Sequence, residues 1–230
     1  MVVKKLKKIK SFFLKHCCLI MSIVTSLMIL FEPVLRHKEN FLGILFLLII
    51  NALIFILGPY VLSGKKKILH FSLFCGALIL CLSFFREVDA VKVSVISLIT
   101  QAVFLLMCFI LTVTAIYYSL DKKRQWSSDR IFGLVYGYLL LGVLMSEVYF
   151  FLGRYGHAYF LNGNELVEVK RQNCLYFSYV VQTTMGFGDI VPGNEFVRRV
   201  VILHACAGVL YTAVLIGRVI GWYGSKPHDY

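Results

Sequence analysis

The sequence predicts an all-α integral membrane protein with six transmembrane helices and a short re-entrant helix between the last two. The chain of 230 residues is 59% hydrophobic and has a mean hydropathy of +0.80, far above the values of water-soluble domains. Its apolar residues fall into six long runs separated by short charged segments. A seventh, much shorter apolar segment comes before a strip with two glycines, and this arrangement predicts the re-entrant helix.

The six long runs can each cross a bilayer as a helix, which takes roughly 17 to 25 residues. They cover approximately residues 11–30, 41–63, 68–85, 93–120, 131–152 and 196–223. The lysine-rich start followed by an apolar run also fits a secretory signal. However, Phe31, Glu32 and Pro33 follow the run without a small-residue cleavage pattern. We therefore interpret the first run as a retained helix.

The charged residues predict the orientation of these helices. With the N-terminus inside, the inner segments carry fifteen Lys and Arg residues against three Asp residues, and the outer segments carry nine of each sign. This distribution agrees with the positive-inside rule and predicts that both termini are cytoplasmic. Because the bases lie in short clusters between apolar runs, they indicate topology and contact with membrane lipid, and nucleic-acid binding is not expected.

The short apolar segment, residues 174–182, leads into the strip 183–189, which reads TTMGFGD. About nine residues cannot cross a bilayer as a helix, so this segment has to enter and return with protein around it. Gly186 and Gly188 have no Cβ and can adopt positive φ, which allows successive carbonyl groups to point to one side. Such oxygens, with the Thr184 hydroxyl below them, can replace the hydration shell of a potassium ion.

This strip resembles the selectivity filter of the tetrameric potassium-channel superfamily, and residues 131–223 follow the order of its pore module: outer helix, pore helix, filter and inner helix. The resemblance implies that the backbone of the strip binds the ion. The implied ion-binding residues are Thr184, Met185, Gly186, Phe187 and Gly188. The implied filter-support residues are Tyr176, Phe177, Thr183 and Asp189. The implied gate and hinge residues are Gly208, Thr212 and Ile216.

Two residues depart from the usual filter of this superfamily. Phe187 lacks the hydroxyl with which a tyrosine often ties the filter to its aromatic surround, and Met185 is longer and more flexible than the usual valine. Potassium selectivity is expected, and a weakly selective cation channel remains the alternative within transport.

The chain divides into three predicted parts. Residues 1–120 form a four-helix membrane domain, 121–130 a cytoplasmic connector, and 131–230 the pore domain. Six-span relatives usually carry a voltage-sensing fourth helix with regularly spaced bases, but Val93–Leu120 contains no charged residue. Because a charge gains about 2.3 kcal/mol per 100 mV on crossing the membrane, a helix without charges gains nothing in this way, and steep voltage gating is not expected.

Several other polar or reactive residues have two interpretations each. His204, within the last run, is either a pH sensor or a hydrogen-bonded packing residue. Glu147 either braces the pore helix or lies at the membrane interface. Gly208 either bends the inner helix or permits close packing. The seven cysteines have no ligand-like spacing, which predicts neither a disulfide framework nor a zinc site.

The sequence therefore predicts a homotetrameric channel that conducts potassium passively, in a membrane that we expect to be a bacterial inner membrane. No enzyme is expected, because no nucleophile with a matching base appears in the sequence. No cofactor is expected, and potassium is the permeant ion. A third hypothesis is a membrane sensor or interaction protein whose pore module no longer conducts. The stimulus that opens the gate is not predicted.

Overall fold

The computed structural model describes residues 16–35, 43, 95–120, 128–155, 159–163 and 165–224. The chain divides into two compact units, Met1–Leu139 and Leu140–Tyr230. Three described helices are long and apolar enough to cross a membrane, and a fourth apolar helix is shorter. The three are Gln101–Ser119, Asp129–Arg154 and Glu195–Gly221, and the shorter one is Cys17–Phe31. Apart from Gly43, the second and third predicted spans lie outside the described residues.

The first unit contains helix α1 (Cys17–Leu35), helix α2 (Val95–Leu120) and the start of helix α3 (Ser128–Arg154). Each corresponds to a predicted apolar run, and α1 continues about one turn beyond the predicted end near Leu30. The backbone N–H groups of Cys18 and Leu19, in the first turn of α1, donate to the Asp129 carboxylate. Asp129 therefore supplies the cap that the first turn of α1 needs.

The second unit contains the rest of α3, three short strands, helix α4 (Arg171–Gln182) and helix α5 (Glu195–Gly224). The predicted re-entrant helix corresponds to α4, which begins earlier than the apolar segment because Arg171, Gln172 and Asn173 form its polar first turn. Asn194 accepts a hydrogen bond from the backbone N–H of Val197 at 3.1 Å and caps the start of α5.

The three strands form a small antiparallel sheet that the all-helical prediction lacks. Strand β1 (Phe160–Asn162) lies between β2 (Glu165–Val167) and β3 (Val191–Pro192). The hairpin turns at Gly163, which has a φ of 59° between the two strands. Because β3 directly follows the glycine strip, this hairpin is hydrogen-bonded to the backbone that leaves the strip.

Aromatic side chains form the core of the second unit. Tyr149 lies edge-on to both Phe160 and Phe177, with ring centroids 6.0 and 5.1 Å apart. Phe160 and Phe177 also contact each other edge-on at 5.1 Å, and all three rings are buried together with Val197. Edge-to-face packing of this kind stabilises a core beyond simple area burial. The core joins α3, β1, α4 and α5 beside the strip.

Candidate functional site: a glycine strip held by a short helix

Helix α4 points its C-terminal end into the strip. With 12 residues, α4 is about 18 Å long, well short of a bilayer core of about 30 Å. Its last carbonyl groups accept from the N–H groups of the strip. Thr183 donates to Tyr179 at 2.9 Å, and Met185 donates to Val180 at 3.0 Å. The end of the helix therefore determines where the strip begins.

Every second residue of the strip has a left-handed backbone. The φ angles are 58° at Thr184, 62° at Gly186 and 76° at Gly188. Met185 and Phe187 have negative φ, since Thr184 is the one non-glycine residue with positive φ among the described residues. In an extended strand successive carbonyl groups point to opposite sides. When positive and negative φ alternate, successive carbonyl groups can point to the same side. This geometry is what a row of carbonyl ligands requires.

The hydroxyl groups of the two threonines are engaged with nearby carbonyl groups. The Thr183 hydroxyl donates to the Tyr179 carbonyl at 2.6 Å, and the Thr184 hydroxyl donates to the Thr183 carbonyl at 2.7 Å. The oxygen of each hydroxyl keeps lone pairs that can accept. All residues of 183–189 are exposed in the single chain.

The outer end of the strip is fastened by Tyr176 of α4. The Tyr176 hydroxyl donates to Asp189 Oδ2 at 2.7 Å. Its ring also lies parallel to that of Phe187, with an interplanar angle of 3° and centroids 6.4 Å apart. Phe187 therefore faces Tyr176 with its ring and, having no hydroxyl, makes no hydrogen bond there. The hydrogen bond between the strip and α4 is made by Asp189 instead. The hydrogen bond to Asp189, with smaller effects of desolvation and of the Asp189 charge, raises the pKa of Tyr176.

This tie predicts an alkaline limit for the outer end of the strip. A raised pKa means that the phenol stays protonated above its ordinary value of about 10, so the bond is present below that pH and is lost only as pH rises through the raised value. We expect Asp189→Asn to lower the pKa of Tyr176. The ionisation of tyrosine is followed by absorbance as the pH rises. The difference between the parent and Tyr176→Phe is the titration curve of Tyr176 alone. Equal pKa values with and without Asp189 would contradict the tie.

A buried polar chain lies behind the strip and links three helices. Tyr149 of α3 lies with its hydroxyl 3.0 Å from His204 Nδ1, and His204 Nε2 lies 3.4 Å from Gln182 Oε1. Because Gln182 Oε1 can only accept, Nε2 carries the proton and Nδ1 accepts from Tyr149. A neutral His204 thus satisfies both neighbours. This arrangement agrees with the interpretation of His204 as a hydrogen-bonded packing residue. It also gives the buried amide oxygen of Gln182 a hydrogen-bond donor.

An ion pair joins α3 to the first residue of α4. The Glu147 carboxylate contacts the Arg171 guanidinium, and both side chains are almost entirely buried. The same guanidinium lies 4.3 Å above the centre of the Phe150 ring. Of the two interpretations of Glu147, the structure supports the one in which it braces the pore helix. Burial, followed by the nearby Glu147 charge, raises the pKa of the Cys174 thiol on the next turn to about 12.

Two glycines let neighbouring helices approach α4 closely. A Cβ on Gly208 of α5 would lie 2.6 Å from the Gln182 carbonyl oxygen, and one on Gly142 of α3 would lie 2.4 Å from the Tyr179 ring. The Gly142 carbonyl also accepts from the Ser178 hydroxyl at 2.6 Å. Gly208 therefore packs against the end of α4 in this structure, within a continuous helix α5. Its role as a hinge stays a prediction.

We predict opposite effects for two glycine substitutions on α5. Gly208→Ala should destabilise the protein by about 1–3 kcal/mol, because its methyl group meets backbone atoms of Gln182 that cannot rotate away. Gly217→Ala, where nothing lies within 4 Å, should be neutral or stabilise by up to about 1 kcal/mol through helix propensity. Thermal unfolding by circular dichroism compares them, and equal midpoints would refute the packing role.

The remaining predicted site residues lie apart from the strip. Phe177 points into the aromatic core, so its support of the strip is indirect. The Thr212 hydroxyl donates to the Gly208 carbonyl at 3.0 Å, and Ile216 is exposed one turn further along α5. Sequence reasoning missed Gly142 and Ser178, because a small residue in an apolar run has no distinctive pattern.

Known proteins resemble the region that contains these features. Residues 137–224 match the family model described as "Ion channel". A rice protein (Oryza sativa subsp. japonica) named "Two pore potassium channel a" is 29% identical over 109 residues, which are 45% of this chain and 27% of the rice protein. This chain thus aligns with about a quarter of the length of that relative. No solved structure matches the chain significantly.

The matched region contains the short helix and the strip, and it resembles an ion-channel module in which both lie between two long helices. In this region the chain is similar to proteins of the potassium-channel superfamily. The matched family model and the three long apolar helices support a membrane protein.

Proposed function

We propose that this protein is a potassium-selective channel that conducts passively across a membrane as a homotetramer. The observation that carries the proposal is the alternating left-handed backbone at Thr184, Gly186 and Gly188, held at one end by α4 and at the other by the Tyr176–Asp189 bond. The carbonyl groups of the strip are the proposed ion ligands. Potassium is the transported ion, and no cofactor takes part.

The exposed surfaces of the single chain support the proposed assembly. One strip supplies one side of a potassium site, and a ring of carbonyls needs four chains. The strip is exposed along its whole length, and a Cβ on Gly186 or Gly188 would meet no atom within 4 Å. Helix α5 also exposes large apolar side chains on several faces. These include Phe196, Ile202, Leu203, Leu210 and Ile220. In the proposed tetramer these side chains meet neighbouring chains and lipid.

The first unit supports an even number of membrane crossings between the starts of α1 and α3. Asp129, at the start of α3, contacts the start of α1, and the Arg130 guanidinium donates to the Ser119 carbonyl at the end of α2. The starts of α1 and α3 and the end of α2 therefore lie at one level. This agrees with the four predicted spans between the two starts, which place both starts on the same side of the membrane. We propose that both termini are cytoplasmic and that the membrane is a bacterial plasma membrane.

Flux through purified protein in liposomes tests the function. Vesicles loaded with potassium are diluted into sodium, and ion efflux is followed through a fluorescent dye with and without barium. Potassium efflux that barium blocks is the expected result. No efflux over a range of pH and voltage would favour a sensor or interaction protein whose pore does not conduct.

Selectivity needs a separate measurement, because Met185 and Phe187 favour a second candidate, a weakly selective cation channel. Both side chains are more than 60% exposed in the single chain, so in the proposed tetramer they form the surroundings of the strip in place of the usual valine and tyrosine. Reversal potentials in mixed potassium and sodium distinguish the two. A potential that follows the potassium gradient supports the proposal, and one near zero under opposed gradients supports the weakly selective channel.

A further inference from the structure

Two cysteines and a carboxylate meet at the start of α1, in the first unit. Cys17 and Cys18 are adjacent in the sequence, and Asp129 comes from α3, more than a hundred residues later. All three side chains are buried, and their ligand atoms lie within 4.8 Å of one another. Spacing along the chain could not reveal this cluster, because it joins two helices that only the fold brings together.

Two of the three separations between the ligand atoms match the edges of a tetrahedral zinc site. The two sulfur atoms are 3.8 Å apart, and Cys17 Sγ is 3.4 Å from Asp129 Oδ2. With Zn–S bonds of about 2.3 Å and a Zn–O bond of about 2.0 Å, a regular tetrahedron has an S···S edge of about 3.8 Å and an S···O edge of about 3.5 Å. The three atoms could therefore bind one ion with little movement.

The carboxylate can bind an ion and cap α1 at the same time. Asp129 Oδ1 accepts from the backbone N–H groups of Cys18 and Leu19, whereas Oδ2 faces Cys17 Sγ and the Tyr118 hydroxyl. One oxygen therefore holds the helix end, and the other is directed at the thiols. On the cytoplasmic side, where we expect this end of α1, thiols stay reduced and are available as ligands.

We propose that Cys17, Cys18 and Asp129 form a site for a thiophilic divalent cation of the zinc type. Two thiolates and one carboxylate oxygen supply three ligands, and water completes the tetrahedron. Binding releases the two thiol protons to solvent. The ion ties the start of α1 to the start of α3.

Cobalt(II) binding to the purified full-length protein in detergent tests the site. Cobalt replaces zinc in tetrahedral sites, and thiolate ligands give it charge-transfer and visible bands. We expect one cobalt per chain with thiolate bands, and displacement of cobalt by zinc. Cys17→Ser and Asp129→Asn each keep a hydrogen-bonding group in place while removing a good metal ligand, so the fold should persist. Each should weaken binding by about tenfold or more.

Matched controls separate this site from the other cysteines. Replacing the exposed Cys206 of α5 or the buried Cys108 of α2 by serine should leave cobalt binding unchanged, as should the joint replacement of Cys75 and Cys81. Size-exclusion elution confirms that each variant is folded. The absence of thiolate bands, or equal binding by the parent, Cys17→Ser and Asp129→Asn, would overturn the proposal and leave the cluster as a hydrogen-bonded helix cap.

Discussion

Gly186→Ala should abolish most of the potassium flux while the protein still folds. A non-glycine residue in the left-handed region costs about 1–2 kcal/mol, and Gly186 has a φ of 62°. In the proposed tetramer that strain occurs in four chains around one axis, for a total of about 4 kcal/mol or more. Relief of the strain turns the carbonyl groups away from the ion. We expect the liposome flux to fall by about tenfold or more, since each 1.4 kcal/mol is a factor of ten.

The chain offers a matched control for this prediction. Gly163 has a φ of 59°, and a Cβ there would also meet nothing within 4 Å, but it lies in the turn between β1 and β2. Gly163→Ala carries the same backbone strain and a similar small loss of stability. Flux through Gly163→Ala should stay near that of the parent. A comparable loss of flux in both variants would show that backbone strain acts through general stability, and the strip would lose its special role.

The long helices could be predicted because the bilayer imposes a length on every apolar run. The predicted run 131–152 corresponds to α3 (Ser128–Arg154), and the run 196–223 corresponds to α5 (Glu195–Gly224). The predicted ends are close because charged residues, which are costly to bury in lipid, mark the ends of each apolar run. The start of helix α4 was predicted less accurately, since the apolar segment begins at residue 174 and the helix begins at Arg171. Its polar first turn gives no apolar signal, and Arg171 is stabilised there by Glu147, a residue of another helix.

The strip itself could be predicted because glycine adopts a left-handed backbone more easily than any other residue. Gly186 and Gly188 take positive φ as expected, but Thr184 does so too, and nothing in its own chemistry indicates this. The hydrogen bond from Met185 to the end of α4 accompanies that conformation. Tertiary hydrogen bonding thus adds a left-handed residue that local propensity does not favour.

The small sheet and the cysteine–aspartate cluster could not be predicted, because each depends on pairing between distant segments. Strands of two or three residues are too short for a periodic pattern, and Leu161 pairs with Val191 only once α4 and the strip are in place. This pairing gives the outer hairpin a direct connection to the exit of the strip.

Breaking the ion pair between Glu147 and Arg171 should give the largest loss of stability among charged positions of the second unit. Both side chains are almost entirely buried, and removing one member of such a pair costs about 3–5 kcal/mol. Arg171 also begins α4, where the helix dipole disfavours a positive charge, so it depends on the carboxylate more than a mid-helix arginine would. For Glu147→Gln we expect the thermal midpoint to fall by about 6 °C or more.

An exposed pair on α5 and a double variant provide the comparison. Glu195 and Arg199 form an ion pair at 3.2 Å with both side chains about 80% exposed, so Glu195→Gln should cost no more than about 0.5 kcal/mol. Arg171→Gln combined with Glu147→Gln removes both buried charges and should recover part of the loss. If Glu147→Gln and Glu195→Gln unfold at the same temperature, the pair does not brace α4. The strip would then be held by the aromatic core and by the hydrogen bonds of Tyr176 and Gln182 instead.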